Sequence, residues 1–236
     1  MSDLRKPDWA IDAVARRFSA SWEPCKGSSP AGYLIMSRRR TAVDIAVIGP
    51  KRAIRRDTTR PRLRFDRVAL GFIRRVREAL AASVPEGRTI VVSVTAPIRM
   101  ASKTAAVVAQ TIRQRLERRS THLQIEETIN GNQIRARLAQ DVFGRAAKVV
   151  GYVHNPDSDP QILFDITEAL LRHVGAAANK RMQERSPGDR WLILACDGGL
   201  PHAETYEQVL SQLAIPGGFE KLLLVLPDGR VESLGD

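Results

Sequence analysis

The residue with the clearest chemical potential is Asp44, an acid in the middle of the apolar segment TAVDIAVIG. Alternation along a strand places Val43 and Val47 on one face and Asp44 with Ala46 on the other. A carboxylate in this position costs several kcal/mol if it is buried without a partner. Asp44 is therefore expected to bind a metal ion, to pair with one of the many arginines, or to be exposed on an edge strand.

Other motifs that carry chemistry are sparse. The sequence contains no P-loop, no Gly-rich dinucleotide motif, no nucleophile elbow and no Cys/His set with zinc spacing. His154, followed closely by Asp157 and Asp159, could form a metal site, but Asp159 before Pro160 is typical of an ordinary helix cap. The DGG segment at 197–199 follows a strand where α/β proteins place functional loops, and a turn into the next helix also explains it.

Basic residues are concentrated in one part of the chain. The protein has 37 Lys and Arg against 26 acids, a formal net charge of +11, and residues 38–67 alone hold eleven basic side chains and three acids. Arginine suits planar contact with phosphates, and such a segment binds polyanions with a steep salt dependence. We expect DNA or another polyanion as a partner, with a solvated arginine-rich loop as the alternative. The predicted nucleic-acid-binding residues are Arg38, Arg39, Arg40, Lys51, Arg52, Arg55, Arg56, Arg60 and Arg62.

Length and composition exclude several classes of protein. A chain of 236 residues with 43% apolar and 27% charged side chains is neither disordered, fibrous nor a small disulfide scaffold. Its longest apolar runs are far shorter than a membrane span, and its first residues lack the apolar stretch of a secretory signal. Two distant cysteines, Cys25 and Cys196, are typical of reduced thiols. We expect a soluble cytoplasmic protein that does not act at a membrane.

The chain alternates segments with helical and strand periodicity, which favours an α/β layered fold. Because no internal repeat or low-complexity linker is present, we expect a single domain over residues 1–236, with the basic loop 50–63 inserted after an N-terminal hairpin. Helices are predicted over 9–19, 65–84, 102–119, 160–182 and 203–213, with a short one after Asn130. Strands are predicted over 33–37, 41–49, 89–95, 122–129, 148–153, 191–196, 221–226 and 230–234.

The order of these elements resembles the core of the PD-(D/E)XK, or restriction-endonuclease-like, nuclease superfamily. The segments that carry the resemblance are RRFSASW at a helix end, SPAGYLIM at a strand, a basic turn, and TAVDIAVI with its central acid. A later helix before WLIL and the closing segment KLLLVLPDGRV extend it over most of the chain. The resemblance implies a three-layer α/β/α sandwich around a mixed sheet. It also implies acids that hold Mg²⁺ and a lysine that positions the attacking water.

The sequence departs from this family pattern where the chemistry would occur. Ala31 follows Pro30, so the first acid is missing, and Ala46 stands where the lysine belongs. Only Asp44 matches, and one carboxylate alone is a poor Mg²⁺ site.

Activity would therefore require partners that have migrated to other positions. Glu23 could supply a second metal ligand, and Lys180 or Lys51 the cation. The candidate catalytic residues are thus Asp44, Glu23 and Lys180, with Asp44 as the metal ligand and Mg²⁺ as the cofactor of an active enzyme.

The expected function is that of a catalytically decayed nuclease fold acting as a nucleic-acid-binding or structural module. One alternative is an active Mg²⁺-dependent nuclease that uses Asp44 with migrated partners. A second is a protein-interaction module or homodimer without a nucleic-acid role.

Overall fold

The computed structural model of the protein describes residues 8–25, 30–37, 39–49, 63–118, 122–157, 159–184, 189–197, 202–215 and 218–235. The helices among them are α1 (Asp8–Arg17), α2 (Arg67–Leu80), α3 (Ala101–Arg118), α4 (Pro160–Glu184) and α5 (Ala203–Leu213). The strands are β1 (Ser21–Pro24), β2 (Gly32–Met36), β3 (Arg39–Ile48), β4 (Arg88–Thr95), β5 (Gln124–Ile129), β6 (Asn132–Gln140), β7 (Val149–His154), β8 (Arg190–Cys196), β9 (Lys221–Val225) and β10 (Val231–Ser233). None of these helices combines the length and the apolar run needed to cross a membrane.

The elements fall into two compact units. Unit 1 comprises residues 1–54, 173–208 and 216–236, and unit 2 comprises residues 55–172 and 209–215. Each unit has its own mixed sheet with helices packed on it, which confirms the predicted α/β class. The described strands thus form two sheets, whereas the family resemblance implies one mixed sheet. The assignment of residues 1–236 to a single domain stays a prediction.

The sheet of unit 1 has the strand order β1-β2-β3-β8-β9-β10. The predicted hairpin of β2 and β3 is antiparallel, and β3, β8 and β9 run parallel to one another. Helix α1 covers one face, where Val14 packs in a core with Val43 and Ile193. All seven residues of β8 are buried, as expected for a central parallel strand that is covered on both faces.

The other face of this sheet carries the alternate side chains of β8. Leu192, Leu194 and Cys196 are fully buried there. The Cys196 thiol lies 3.0 Å from the hydroxyl of Tyr206, which is on α5. Unit 1 therefore has helical residues on both faces of its sheet.

The sheet of unit 2 has the strand order β5-β6-β4-β7, in which β4 and β7 are parallel. Helices α2 and α3 share one face, where Phe72 and Ile112 pack against Val92 and the rest of the core. Helix α2 begins at its cap Asp66, whose carboxylate accepts hydrogen bonds of 3.0 Å from the backbone N–H groups of residues 68 and 69.

The helix predicted after Asn130 is wrong, because this segment forms strand β6. Asn130 and Gly131 have φ angles of 50° and 74° and connect β5 to β6 as a two-residue hairpin turn. Beyond the turn, Ile134 and Ala136 point into the core at strand spacing. The Asn-Gly pair is the local signal for a hairpin in this segment.

Asn132, buried next to this turn, joins it to the loop between β4 and α3. Its Oδ1 accepts from the backbone N–H of Arg99 at 2.7 Å, and its Nδ2 donates to the carbonyls of Arg99 and Ile129. Thr104, at the start of α3, also accepts from Asn132. One side chain therefore holds three chain segments of unit 2 together.

His154, at the end of β7, is buried in a charged environment. Burial lowers the pKa of its imidazole, and the positive charge of Arg135 lowers it further. A hydrogen-bond contact with the Asn155 carbonyl and the charges of Asp159 and Asp157 act in the opposite direction without reversing the shift.

This shift predicts that acid destabilises unit 2. The folded state favours the neutral imidazole, so below the ordinary histidine pKa of about 6.5 the unfolded chain binds more protons. The contribution of His154 is fully present above that pH and is lost as the pH falls through the lower folded value. Urea unfolding across this range should show a smaller loss in His154→Gln than in the parent. Equal pH dependence of the two proteins would contradict the assignment.

Candidate functional site

Asp44 lies in the middle of β3, on the face of the unit 1 sheet opposite α1. Its partner is Arg190, the first residue of β8, which sits diagonally across the parallel pair because Asp44 aligns with Leu192. Arg190 Nη2 donates to Asp44 Oδ1 at 2.8 Å, and Arg190 Nε lies 2.5 Å from Asp44 Oδ2. The guanidinium thus contacts both carboxylate oxygens, through a hydrogen bond from Nη2 to Oδ1 and a close ion contact of Nε with Oδ2.

This ion pair is buried, with only 4% of the Arg190 side chain and 12% of the Asp44 side chain exposed. It is the buried salt bridge that the sequence allows as one explanation of Asp44. A dication does not fit here, because both oxygens already face a guanidinium whose positive charge would repel Mg²⁺. In the part of the chain that the structure describes, no three His, Cys, Asp or Glu side chains form a group that could hold a metal ion.

Glu23, the second candidate acid, lies on the same face of the sheet. It aligns with Tyr33 on β2, which in turn aligns with Ala42 on β3. Its carboxylate forms an exposed ion pair of 2.9 Å with Arg40. The Arg40 guanidinium also stacks on the Tyr33 ring, 3.8 Å from its centroid. The sheet therefore places Glu23 and Asp44 on one face, but each acid has an arginine of its own.

Arg39, next to Arg40 on β3, is held by acids of unit 1. Its guanidinium donates to Glu220 at 2.8 Å and also contacts Asp189. Hydrogen bonds to Glu220 and then to Asp189 raise the pKa of the Arg39 guanidinium above its usual value. Arg39 and Arg40 are thus both compensated by carboxylates, which leaves less of their charge to attract a phosphate.

Two groups of predicted site residues remain: Lys180 and the other predicted nucleic-acid-binding residues of the segment 38–67. Lys180 is half-buried near the end of α4. The remaining predicted nucleic-acid-binding residues lie outside the described residues: Arg38, Lys51, Arg52, Arg55, Arg56, Arg60 and Arg62. Their role in binding stays a prediction.

A second basic surface lies on unit 2, outside the predicted nucleic-acid-binding residues. We call it the basic helix pair: the exposed basic side chains of α2 and α3, eight in number, against two acids on the same helices, Glu78 and Glu117. The basic members are Arg67, Arg74, Arg75, Arg77, Lys103, Arg113, Arg115 and Arg118.

Direct contacts join the two helices, so their basic side chains form one surface. Arg113 Nη2 donates to the carbonyl of Ala79 at 2.8 Å, and Arg75 contacts the Ser102 hydroxyl. Of the eight basic residues, Arg74 and Arg115 approach carboxylates, at 4.0 and 3.1 Å. The other six form no ion pair with any described carboxylate. Most of the positive charge of the helix pair is therefore uncompensated.

Part of the signal for this surface is present in the sequence. The basic segment 38–67 ends where α2 begins, and α3 has a basic C-terminal end. The helix dipole alone also explains basic residues at that end, so the pattern does not by itself indicate a binding surface. Strand β4 separates the two helices in the chain. Their side-by-side packing is therefore a tertiary contact that local sequence patterns do not show.

No family model, no curated protein and no solved structure matches the chain. The resemblance to the restriction-endonuclease-like nucleases thus stays a prediction. What the protein does has to be inferred from the buried Asp44–Arg190 pair and from the distribution of uncompensated positive charge.

Proposed function

We propose that the protein is a nucleic-acid-binding module whose unit 1 has a restriction-endonuclease-like arrangement with a decayed active site. The observation that carries the proposal is the two-point ion pair between Asp44 and Arg190. On this proposal, the Arg190 guanidinium lies against the acid where a nuclease of this family would hold a metal.

The arrangement of unit 1 supports the family part of this proposal. In unit 1, α1 precedes an antiparallel meander of three strands, β8 lies parallel to the third of them, and helical residues lie on both faces of the sheet. The acid lies on β3, the strand that follows the basic turn, as in the order of segments on which the resemblance is based. The finer three-layer assignment to this fold rests on this similarity in the order of the elements.

The ion pair explains how an acid could persist at this position after catalysis has decayed. An apolar strand tolerates a buried carboxylate only if a cation and hydrogen bonds compensate it. Arg190 supplies the cation and a hydrogen bond to Oδ1, so Asp44 has a structural role that needs neither Mg²⁺ nor a lysine at position 46. Glu23, bonded to Arg40, likewise has a partner other than a metal.

Charge supports the binding part of the proposal. A net charge of +11 raises the local concentration of polyanions around the protein. The basic helix pair offers six basic side chains free of described carboxylates on neighbouring helices. Phosphate groups are the ligands that such a surface binds most readily, with release of counterions as the source of affinity.

Removing charge from the helix pair should weaken binding to nucleic acid. In Arg67→Gln/Lys103→Gln, the magnitude of the slope of log affinity against log salt should fall by about 0.9 for each phosphate that the variant no longer neutralises. Fluorescence anisotropy with labelled DNA at several salt concentrations measures this slope. The matched control is Arg16→Gln/Arg17→Gln, which removes two exposed charges from α1 and should leave the slope nearly unchanged.

The outcome separates this proposal from its alternatives. Equal slopes in the two double variants would remove the helix pair from the binding surface. A parent protein without salt-dependent DNA binding would contradict the proposal and favour a protein-interaction module or homodimer. Mg²⁺-dependent cleavage of the DNA that disappears in Asp44→Ala would favour the active nuclease.

A further inference from the structure

A cleft of about 180 Å³ lies between α2 and the edge strand β7 of unit 2. Ile73 and the backbone at Gly151 contribute to its apolar part, and Phe65 and Leu70 stand at its walls. Three arginines, Arg64, Arg74 and Arg77, also line it. Since pockets for drug-sized ligands occupy about 300–1,000 Å³, this cleft has room for a single planar ring system.

Two apolar side chains at the walls of the cleft are open to solvent. Phe65 is 48% exposed and Leu70 is 53% exposed, although each adjoins the apolar interior of the cleft. An aromatic ring exposed among arginines matches the way proteins bind single strands, in which bases stack on aromatics and phosphates meet basic side chains.

The edge of β7 is already occupied, which disfavours a peptide strand as the ligand. Leu63 forms an antiparallel bridge with His154, and the Arg64 backbone N–H donates to the carbonyl of Val153 at 2.7 Å. Farther along the edge, the Gly151 N–H donates to the side-chain Oε1 of Gln212 at 3.3 Å. A further strand would have to displace these hydrogen bonds.

Gln212 adds a polar group suited to a base. It is half-buried in the lining, and its Oε1 is engaged by Gly151. Its Nε2 donates to no residue that the structure describes. A carbonyl oxygen on the edge of a nucleobase would complement this amide.

We infer that the cleft between α2 and β7 binds an unstacked nucleobase of a single-stranded nucleic acid, with Phe65 as the stacking surface and Arg64, Arg74 and Arg77 facing the flanking phosphates. The inference rests on the proposed nucleic-acid binding and specifies its form. A base inside a duplex is stacked on both sides and paired at its edge, so it cannot enter the cleft without being extruded.

The test compares one single-stranded and one double-stranded probe. Fluorescein-labelled oligo-dT of about 16 nucleotides, within the site sizes of known single-strand binders, is titrated against its duplex with oligo-dA. Phe65→Ala should weaken binding of oligo-dT at least fivefold and change duplex binding less than twofold. Phe65→Trp keeps an aromatic ring at this position and should bind oligo-dT about as tightly as the parent does. Val107→Ala, which removes a similarly exposed apolar side chain from α3, is the matched control.

Each outcome decides between the inference and the proposed function. Unchanged oligo-dT affinity in Phe65→Ala, or an equal reduction on both probes, overturns the cleft as a base site and leaves nucleic-acid binding standing. A parent protein that binds only the duplex also overturns the cleft as a base site and leaves nucleic-acid binding standing. A parent that binds neither probe with salt-dependent affinity overturns both. Because Phe65 is half exposed, all four proteins should share one thermal unfolding midpoint, which circular dichroism checks.

Discussion

Replacing Asp44 by alanine should lower the free energy of unfolding of unit 1 by about 3–5 kcal/mol. The variant leaves the Arg190 guanidinium buried without the carboxylate that contacts both its Nε and its Nη2. A buried charge without its counter-charge is among the few causes of so large an effect from one substitution. Urea unfolding of parent and variant measures it directly.

Two further variants isolate the ion pair as the cause. Glu23→Ala removes an acid from the same sheet face, but its pair with Arg40 is exposed, so the decrease in stability should stay within about 1 kcal/mol. The double replacement Asp44→Leu/Arg190→Met removes both charges and should recover most of the stability that Asp44→Ala removes. If Asp44→Ala were as stable as Glu23→Ala, Asp44 would again be a candidate metal ligand, and titration with Mg²⁺ would be the next measurement.

Gly32→Ala should destabilise unit 1 by about 3 kcal/mol, the upper end of the range for overpacking. A Cβ at position 32 would lie 2.4 Å from the Trp22 ring and 2.5 Å from the Glu23 carbonyl oxygen. The ring could turn away, but the carbonyl belongs to β1, which pairs with β2 at this point. The substitution should therefore separate β1 from the sheet, with weaker hydrogen-exchange protection along β1.

Gly71→Ala is a control for which the opposite change in stability is expected. Gly71 lies inside α2, and a Cβ there would meet nothing within 4 Å. Alanine is the better helix former, so this variant should be more stable than the parent by about 0.5–1 kcal/mol. Similar destabilisation by both alanines would mean that steric overlap at position 32 is not the cause.

Local sequence patterns are sufficient to predict a helix or a strand where a segment has one clear period. The alternation around Asp44 and the buried run at 89–95 lie on strands β3 and β4, and the helix predicted over 203–213 is α5. The proline at 160 begins α4, as its preference for the first helical position indicates. These features depend on interactions between near neighbours in the chain.

The features that are not predictable from local patterns depend on distant residues. Arg190, the partner of Asp44, lies 146 positions away, and the sequence offers many other arginines. The division of strands between two sheets is likewise set by pairing, which periodicity does not reveal. Strand β1 is only four residues long and largely exposed, so it has no buried alternation by which to recognise it.

The distance between β3 and β8 in the chain has a consequence for synthesis on the ribosome. Strand β3 is translated early, but its parallel neighbour emerges only after residues 55–172 of unit 2 have been made. The nascent sheet therefore ends in an open strand edge, with Asp44 lacking Arg190, throughout that interval. Unit 2 is itself completed only when residues 209–215 have been made, because the carbonyl of Leu213 accepts a hydrogen bond from the backbone N–H of Ala147. Premature termination between these points should release a chain with an unpaired β3, a natural substrate for chaperones and proteases.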